Sequence, residues 1–268
     1  MRTQRRTSST ADRLPRDRPS PDGASADRPL PGPLPSAVGT GAVVRSTRSL
    51  APCVFLDRDG VLNREVGLIT RPTQLRLLPG VPSALVALRS AGFRLVVVTN
   101  QAIVARGLAT REEVRSLNWH LAARLARSGA VIDAWYFCPH HPQATLRAYR
   151  GGCACRKPRA GMLHMAAARW QLDLTNSYMV GDRLTDVQAG AIAGCRTVWV
   201  QTGDHHAAPI VADTSVPPAR PDHTCRDLPE AAAWILSQGG AGGGLRRTER
   251  SESRRVPIAL RRAQRGAA

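Results

Sequence analysis

Long apolar runs, aromatic residues and lysine are all scarce in this chain of 268 residues. The longest uninterrupted apolar run covers residues 231–236, whereas a helix that crosses a bilayer needs about 20 apolar residues. The first 30 residues are rich in arginine but lack the apolar block of roughly 7 to 15 residues that a secretory signal requires. We therefore expect no membrane partner, no signal peptide and a cytoplasmic location.

Aromatic residues make up 4% of the chain, and both of its arginine-rich ends contain none. Residues 1–49 hold 9 Arg and 4 Asp, and residues 238–268 hold 8 Arg and 2 Glu, so most of the net charge of +18 lies in these tails. Proteins that bind single-stranded nucleic acid combine basic residues with aromatic side chains on which bases stack. We expect no nucleic-acid partner, and a tail that contacts nucleic acid is the alternative.

Both tails also lack the hydrophobic periodicity of a helix or a strand. Residues 1–49 contain seven prolines, and residues 239–244 are five glycines and one alanine. Segments of this composition bury too little apolar surface to offset the entropy lost on ordering. We predict disorder over 1–49 and 238–268, and one folded domain over 50–237, a length that can bury a sizeable core.

Strand and helix patterns alternate along the central part. Runs of β-branched and aromatic residues predict five strands: 53–57, 94–100, 132–138, 178–182 and 197–200. Helical patterns lie between them: 80–91, 110–128, 161–171 and 185–193. Thr110 and Glu113 have the spacing of a capping box. This alternation predicts an α/β fold with a doubly wound, mostly parallel sheet, in which ligands bind beyond the carboxyl ends of the strands.

Four carboxylates follow two of the predicted strands. Asp57 and Asp59 come after the first strand, and side chains two apart on an extended segment point to the same side. Asp182 ends the fourth strand, and Asp186 follows one helical turn later. Alone, each pair is also typical of a solvated turn or a helix N-terminus. Together they indicate a Mg²⁺ site in which two carboxylates divide nucleophilic and acid-base roles.

A hydroxyl and a single lysine are candidates for binding an anion. Thr99 and Asn100 end the second strand, although such a pair is also an ordinary strand cap. Lys157 is the only lysine among 38 basic residues, and the alternative to a role is chance. A compact ammonium suits a point contact with a phosphoryl oxygen better than a planar guanidinium does.

Three of the six cysteines lie beside histidines in residues 138–155. The stretch supplies three thiolates and one imidazole, the ligand set of a closed tetrahedral zinc site: Cys138, His140, Cys153 and Cys155. His141 is the alternative imidazole, and free thiols or a redox pair are the alternative to zinc. Because no ligand position stays open to substrate, we expect a structural Zn²⁺ that fixes the loop before Lys157.

These motifs, in this order, resemble the haloacid dehalogenase (HAD) superfamily of phosphatases: Asp-x-Asp-Gly, a Thr or Ser strand end, a Lys, and Gly-Asp-x-x-x-Asp. Several segments look like its D-glycero-D-manno-heptose-1,7-bisphosphate 7-phosphatase branch, which also contains histidinol-phosphate phosphatases: Phe-Leu-Asp-Arg-Asp-Gly-Val-Leu-Asn (55–63), Thr-Asn-Gln (99–101), Ala-Arg-Gly (105–107), Cys-Pro-His-His-Pro (138–142), Cys-Ala-Cys-Arg-Lys-Pro (153–158) and Met-Val-Gly-Asp (179–182). The resemblance spans roughly residues 52–237 and implies a Rossmann-like HAD fold.

The resemblance also implies roles for individual residues. Asp57 resembles the nucleophile that forms an aspartyl-phosphate, and Asp59 resembles the general acid and base. The Mg²⁺ ligands would be Asp57, the main-chain carbonyl of Asp59, and Asp182, with Asp186 behind Asp182. Thr99 and Lys157 resemble the residues that hold the phosphoryl group. Arg156 resembles the arginine that contacts the substrate.

The spacing of the motifs limits what covers the site. Only 42 positions separate Asp57 from Thr99, and 58 separate Thr99 from Lys157. Neither interval has room for an inserted cap domain, so we expect an open site. We predict that the zinc loop and three arginines, Arg64, Arg106 and Arg156, shape the entry of an anionic substrate with a second phosphate. Asn100 is predicted to bind the substrate or its phosphate.

The sequence thus predicts a monomeric, Mg²⁺-dependent, zinc-stabilised phosphomonoesterase acting on a small phosphorylated sugar, with the 7-phosphate of D-glycero-D-manno-heptose 1,7-bisphosphate as the preferred target. The catalytic alternatives are a histidinol-phosphate phosphatase and a nucleic-acid 3′-phosphatase. The alternative outside catalysis is a zinc-dependent interaction module on an inactive phosphatase scaffold.

Overall fold

The computed structural model of the protein describes residues 50–203 and 216–239. The disorder predicted for residues 1–49, and for nearly all of residues 238–268, therefore falls outside the described residues. Over the part that is described, none of the helices has both the length and the apolar character needed to span a membrane.

Six strands form one sheet: β1 (Ala51–Leu56), β2 (Arg94–Asn100), β3 (Ala134–Cys138), β4 (Leu172–Gly181), β5 (Arg196–Val200) and β6 (His223–Cys225). In the described residues, five α-helices connect or follow them: α1 (Val81–Ser90), α2 (Arg111–Ala126), α3 (Gly161–Trp170), α4 (Leu184–Ala193) and α5 (Leu228–Ser237). The strand order is β3-β2-β1-β4-β5-β6, and every neighbouring pair is parallel. The predicted α/β class with a parallel sheet is confirmed.

Helices cover both faces of the sheet, which is why its central strands read as continuous apolar runs. On one face, α1, α2 and α5 pack their apolar stripes against alternate residues of the strands, such as Leu56, Val97 and Val180. On the other face, α3 and α4 pack against the residues between them, such as Phe55 and Met179. The sheet is therefore doubly wound, as predicted.

Most of the predicted boundaries agree with the structure to within two residues. Thr110 caps α2 as expected: its side chain accepts a hydrogen bond from the Glu113 main chain at 3.1 Å, and the Glu113 carboxylate accepts one from the Thr110 main chain at 2.7 Å. This capping box satisfies main-chain N–H groups at the start of the helix.

The start of β4 differs from the prediction. We expected the strand from residue 178, whereas it begins at Leu172. The extra segment is polar and holds itself by local hydrogen bonds, among them one from the Asn176 amide to the Asp173 carboxylate at 2.6 Å. The pairing of β1 with β4 also shifts in register there, next to a hydrogen bond from the Cys53 main chain to Ser177 Oγ at 2.9 Å.

Two elements at the end of the domain were not predicted. β6 spans only three residues, too few to show an alternating pattern. α5 begins after Asp227, whose side chain caps it by accepting a hydrogen bond from the Glu230 main chain at 3.0 Å. No segment of the described residues forms a large cap domain over the sheet, in agreement with the spacing of the motifs.

Candidate active site

The carboxyl ends of three central strands meet at one edge of the sheet, because β1 lies between β2 and β4. Asp57 follows β1, Thr99 and Asn100 end β2, and Asp182 follows β4. A cavity of about 270 Å³ opens at this edge. Its lining includes eight of the residues singled out from the sequence: Asp57, Asp59, Thr99, Asn100, Arg106, Arg156, Lys157 and Asp186.

Three acidic side chains converge beside this cavity, and two of them, Asp57 and Asp186, line it, whereas Asp182 does not. Carboxylate oxygens of Asp57, Asp182 and Asp186 lie within 4.8 Å of one another, and all three residues are buried. Oδ1 of Asp182 has no hydrogen-bond partner among the described residues. Burial, together with the charges of Asp57 and Asp186, raises the pKa of Asp182 to about 9. Converging carboxylates with an unsatisfied oxygen fit a hard divalent cation such as Mg²⁺.

Two glycines leave the space that the Asp182 side chain occupies. A Cβ atom would lie 2.4 Å from Asp182 Oδ2 if added to Gly60, and 1.8 Å from it if added to Gly203. Thr202, next to Gly203, donates a hydrogen bond to the Gly60 carbonyl, and Trp199 Nε1 donates one to the Asp182 carbonyl at 2.8 Å. The sequence reasoning did not find these contacts after β5, because they depend on how the strands pair.

Lys157 lies between the acidic groups. Its Nζ is 3.0 Å from Asp57 Oδ1 and 2.6 Å from Asp186 Oδ1, and it donates to the Val98 carbonyl at 2.8 Å. Burial lowers the pKa of Lys157, but Asp186 and Asp57 outweigh it and raise the pKa above its usual 10.5. Asn100 exchanges two hydrogen bonds with the Lys157 main chain, both at 3.1 Å. The lysine is therefore a fixed, charged ammonium.

Asp59 points into the same cavity, and four donated hydrogen bonds hold its carboxylate. Oδ1 accepts from Arg58 Nε at 3.1 Å and from Asn63 Nδ2 at 2.8 Å, and Oδ2 accepts from Arg58 Nη2 and Gln101 Nε2, both at 2.9 Å. Burial raises the pKa of Asp59, but Arg58 and these hydrogen bonds lower it overall below its usual 3.8. Gln101 also donates to Thr99 Oγ1 at 3.0 Å, which connects the two candidate residues.

The cysteines and histidine predicted to bind zinc also come together. The four ligand atoms, Cys Sγ and His140 Nδ1, form a compact cluster: Cys138, His140, Cys153 and Cys155. Their closest separations run from 3.2 to 3.7 Å, near the roughly 3.8 Å edge of a tetrahedron with 2.3 Å zinc–sulfur bonds. None of the six cysteines forms a disulfide. The donor set and its shape fit a zinc ion, with His140 rather than the neighbouring His141 in the cluster.

Several basic side chains line the cavity. Arg106, Arg156, Arg183 and His141 line it, whereas Arg64 is exposed and is not among the lining residues. Arg156 donates from Nη1 to the His140 carbonyl at 2.9 Å, which ties it to the cysteine cluster. Arg183 Nη2 forms an ion pair with Glu65 Oε2 at 3.2 Å, and both residues line the cavity. The motif pattern gave no signal for the Glu65 contact, since the two residues are far apart in sequence.

Comparison with known proteins agrees with this arrangement. A family model described as HAD-hydrolase-like matches residues 154–231. A D-glycero-D-manno-heptose-1,7-bisphosphate 7-phosphatase of Thermosynechococcus vestitus (strain NIES-2133 / IAM M-273 / BP-1) is 43% identical over 190 residues, which cover 69% of this chain and 96% of the relative. The chain therefore belongs to the HAD-like hydrolase family.

Two further similar proteins carry a heptose bisphosphate phosphatase activity in their names. The D-glycero-beta-D-manno-heptose-1,7-bisphosphate 7-phosphatase of Escherichia coli (strain K12) is 42% identical over 153 residues, which cover 57% of this chain and 80% of the relative. A crystal structure of the D,D-heptose 1,7-bisphosphate phosphatase from B. bronchiseptica, complexed with magnesium and phosphate, matches with a TM-score of 0.59 and 36% identity over 69% of this chain and 98% of that one. The enzyme is accordingly a phosphatase.

Proposed function

We propose that the enzyme is a Mg²⁺-dependent phosphomonoesterase that works through an aspartyl-phosphate and removes the 7-phosphate of D-glycero-D-manno-heptose 1,7-bisphosphate. The observation that carries the proposal is the position of the only lysine, whose ammonium is 3.0 Å from the Asp57 carboxylate. A buried cation beside a carboxylate in the lining of a cavity is suited to hold a phosphoryl oxygen while that carboxylate attacks phosphorus.

In the first step, the Asp57 carboxylate forms a bond to phosphorus, and the bond from phosphorus to the C7 oxygen of the sugar breaks. Asp59 is ionised in the free enzyme because its pKa is low, so it must first take up a proton from the bound phosphate monoester or from solvent. It then gives this proton to the departing alkoxide. In the second step, a water oxygen attacks phosphorus, Asp59 takes a proton from that water, and the bond to Asp57 breaks. Inorganic phosphate leaves, Asp59 gives up the proton that it took, and both carboxylates return to their first state.

The phosphoryl group needs positive charge and hydrogen-bond donors around it. Lys157 supplies the charge, and the Thr99 hydroxyl and the Asn100 side chain border the same space. Mg²⁺ would be held by the side chains of Asp57 and Asp182 and the main-chain carbonyl of Asp59. When bound, this ion neutralises charge on the phosphoryl oxygens. Asp186 also fixes Lys157, through a 2.6 Å ion pair.

The basic lining of the cavity supports a substrate with a second phosphate. Three arginines line the same cavity as the Asp57 and Asp59 carboxylates: Arg106, Arg156 and Arg183. A guanidinium matches a phosphate by paired hydrogen bonds. These side chains would bind the phosphate that stays on the sugar, and the names of the relatives support a sugar bisphosphate.

We assign a structural zinc ion to the cluster of Cys138, His140, Cys153 and Cys155. A closed set of four soft ligands leaves no position for substrate, so the ion serves the fold. The last ligand lies two residues before Lys157. Zinc bound there would lower the conformational freedom of the loop that presents Arg156 and Lys157.

A phosphate-release screen tests this function. The panel contains D-glycero-D-manno-heptose 1,7-bisphosphate, other sugar bisphosphates, histidinol phosphate and a 3′-phosphorylated oligonucleotide, each with and without Mg²⁺. We expect the highest kcat/KM for the heptose bisphosphate, with activity that depends on Mg²⁺. A preference for histidinol phosphate or for the oligonucleotide would overturn the substrate assignment.

The Asp57→Asn variant tests the mechanism. We expect it to lose turnover by at least about 1,000-fold, because the amide is a poor nucleophile, and to keep its circular dichroism spectrum. A variant that still releases phosphate at a comparable rate would contradict the role of Asp57.

A further inference from the structure

Arg58 is a charged residue in an unusual position. It lies between the two aspartates of the Asp-x-Asp motif, yet its side chain has no exposed surface. Its carbonyl also accepts hydrogen bonds from the main chains of Leu62 and Asn63, at 2.9 and 3.1 Å. A guanidinium is almost never fully buried unless charge and hydrogen bonds compensate it. The partners of Arg58 therefore indicate why it is there.

The charge partner of Arg58 is the Asp59 carboxylate. Nε and Nη2 donate to the two carboxylate oxygens at 3.1 and 2.9 Å, a paired arrangement that fixes the plane of the carboxylate as well as its position. Lysine cannot make this pair of bonds from one side chain. Arg58 thus holds the group to which the proposed mechanism gives both proton transfers.

The third donor of Arg58 is bonded to a helix. Nη1 donates to Asn118 Oδ1 at 2.8 Å. Asn118 is 1% exposed and lies on the stripe of α2 that faces the core, next to Leu117 and one turn from Leu121. A buried amide at such a position is costly without a partner. This contact satisfies the Asn118 carbonyl and connects Asp59, through Arg58, to a 16-residue helix.

We infer that Arg58, anchored by Asn118, is a positioning residue that orients the Asp59 carboxylate for proton transfer to the leaving group. The role rests on the function proposed above, because it takes Asp59 as the acid. Proton transfer depends steeply on the geometry of the acid, and a carboxylate on a loop acquires a fixed geometry only from the groups that hold it. Neither Arg58 nor Asn118 needs to touch the substrate.

The test compares two substrates that differ in their need for an acid. A sugar alkoxide needs a proton to leave, whereas p-nitrophenolate is a stable anion that leaves without one. The parameter to measure is kcat/KM, which covers only the steps up to the first irreversible one, the departure of the leaving group. The selectivity ratio is defined as kcat/KM for the best sugar bisphosphate of the screen divided by kcat/KM for p-nitrophenyl phosphate.

Three variants of the full-length protein carry the test. Asn118→Leu removes the anchor, and Arg58→Lys keeps a charge but loses the paired bonds. We expect each to lower the selectivity ratio by about 10-fold, which is less than the roughly 100- to 10,000-fold that general acid catalysis typically contributes, because the acid itself is still present. Asn118→Asp keeps an acceptor for Nη1, and we expect it to restore most of the ratio.

Leu121→Ala is the matched control, since it leaves a cavity on the same helix without touching Arg58. We expect it to lower the thermal midpoint while the selectivity ratio stays at the wild-type value. If Leu121→Ala lowers the ratio as much as Asn118→Leu, or if Asn118→Leu and Arg58→Lys both fold and keep the ratio, the positioning role is wrong. Should Asn118→Leu not fold, Arg58→Lys and Asn118→Asp decide the question.

Asp59→Asn separates this inference from the proposed function. If Asp59→Asn lowers the selectivity ratio and the Arg58 and Asn118 variants do not, only the positioning role fails. If Asp59→Asn leaves the ratio unchanged, Asp59 is not the acid, and the proposed mechanism fails first.

Discussion

The buried position of Lys157 suits an ammonium better than a guanidinium. Its ammonium contacts Asp57, Asp186 and the Val98 carbonyl, all within 3.0 Å. A phosphoryl oxygen bound by Lys157 would have to share or replace the contact with Asp57. An ammonium has three donors in a compact tetrahedral arrangement, whereas a guanidinium is planar and longer. In a chain that otherwise uses only arginine as its strong base, this geometry explains why a lysine stands here.

Lys157→Arg should therefore lower kcat/KM by at least about 100-fold, the loss typical of removing one group that stabilises the transition state. Arg169→Lys, on the exposed part of α3, is the control and should leave kcat/KM unchanged. Steady-state phosphate release measures both. A Lys157→Arg enzyme with wild-type kcat/KM would contradict a role that depends on the shape of the ammonium.

The acidic groups near Lys157 predict how stability depends on pH in the Mg²⁺-free protein. Burial and like charges raise the pKa of Asp182 to about 9, and burial is also the main cause that raises the pKa of Asp186 to about 6. In the unfolded chain both titrate near 4. Between about pH 4 and 9 the folded protein then binds more protons than the unfolded one, so the free energy of unfolding falls as the pH rises.

We accordingly expect the thermal midpoint without Mg²⁺ to be lower at pH 8.5 than at pH 6, as measured by differential scanning fluorimetry. Added Mg²⁺ should raise the midpoint more at pH 8.5, where it compensates the ionised carboxylates. Asp182→Asn is the control, and it should flatten the dependence on pH. An increase of the midpoint with pH in the Mg²⁺-free wild-type protein would contradict this account of the acidic cluster.

Single residues differ in how far the sequence predicts their surroundings. The period of two in an extended strand correctly suggested that Asp57 and Asp59 face one crevice, since both line the cavity. The contact between Arg58 and Asn118 joins residues 60 positions apart and has no motif. It follows only from the packing of α2 on the sheet, which sequence periodicity does not specify at the level of single atoms.

At the scale of elements, strong apolar patterns in the sequence predicted the bounds of strands and helices well, and weak patterns did not. β2 was predicted with its exact observed bounds, because five buried residues in a row follow Arg94. β6 was missed since three residues pairing with β5 form a strand only in the context of the sheet. The polar start of β4 was missed for the same reason, because its residues read as a loop.

The loop from Cys138 to Cys155 is the element in which a metal is expected to affect catalysis at a distance. Cys155→Ser should lower the bound zinc, measured by mass spectrometry of metals, and should reduce kcat/KM by about 10-fold or more, a loss typical of disturbed support around a site. Cys225→Ser, at a buried cysteine outside the cluster, is the control. Full activity in a zinc-free Cys155→Ser enzyme would show that the loop does not need the ion.

At the scale of the whole molecule, strand order explains why residues distant in sequence meet. Asp57, Thr99 and Asp182 follow strands that are neighbours in space, because β2 and β4 flank β1. Sequence alternation predicted a parallel sheet but not this order. The convergence of the site residues is therefore a result of topology, which the motif resemblance implied and the strand pairing explains.

The described elements from β1 to α5 lie between residues 51 and 237. We expect a protein cut to residues 50–237 to keep the circular dichroism, zinc content and kcat/KM of the full chain. The full-length protein, assayed at the same ionic strengths, is the reference. A large loss of kcat/KM in the shortened protein would mean that the basic tails contribute to substrate binding.

The two helical layers hold different parts of the candidate active site. α2, on one face of the sheet, anchors the Asp59 carboxylate through Asn118 and Arg58. The cysteine loop and α3, on the other face, present Lys157. Substitutions that break the contact between Asn118 and Arg58 should therefore impair proton delivery while phosphate affinity survives, and loss of the cysteine cluster should do the reverse. The two supports lie on opposite faces of the sheet, so each can fail while the other stays intact.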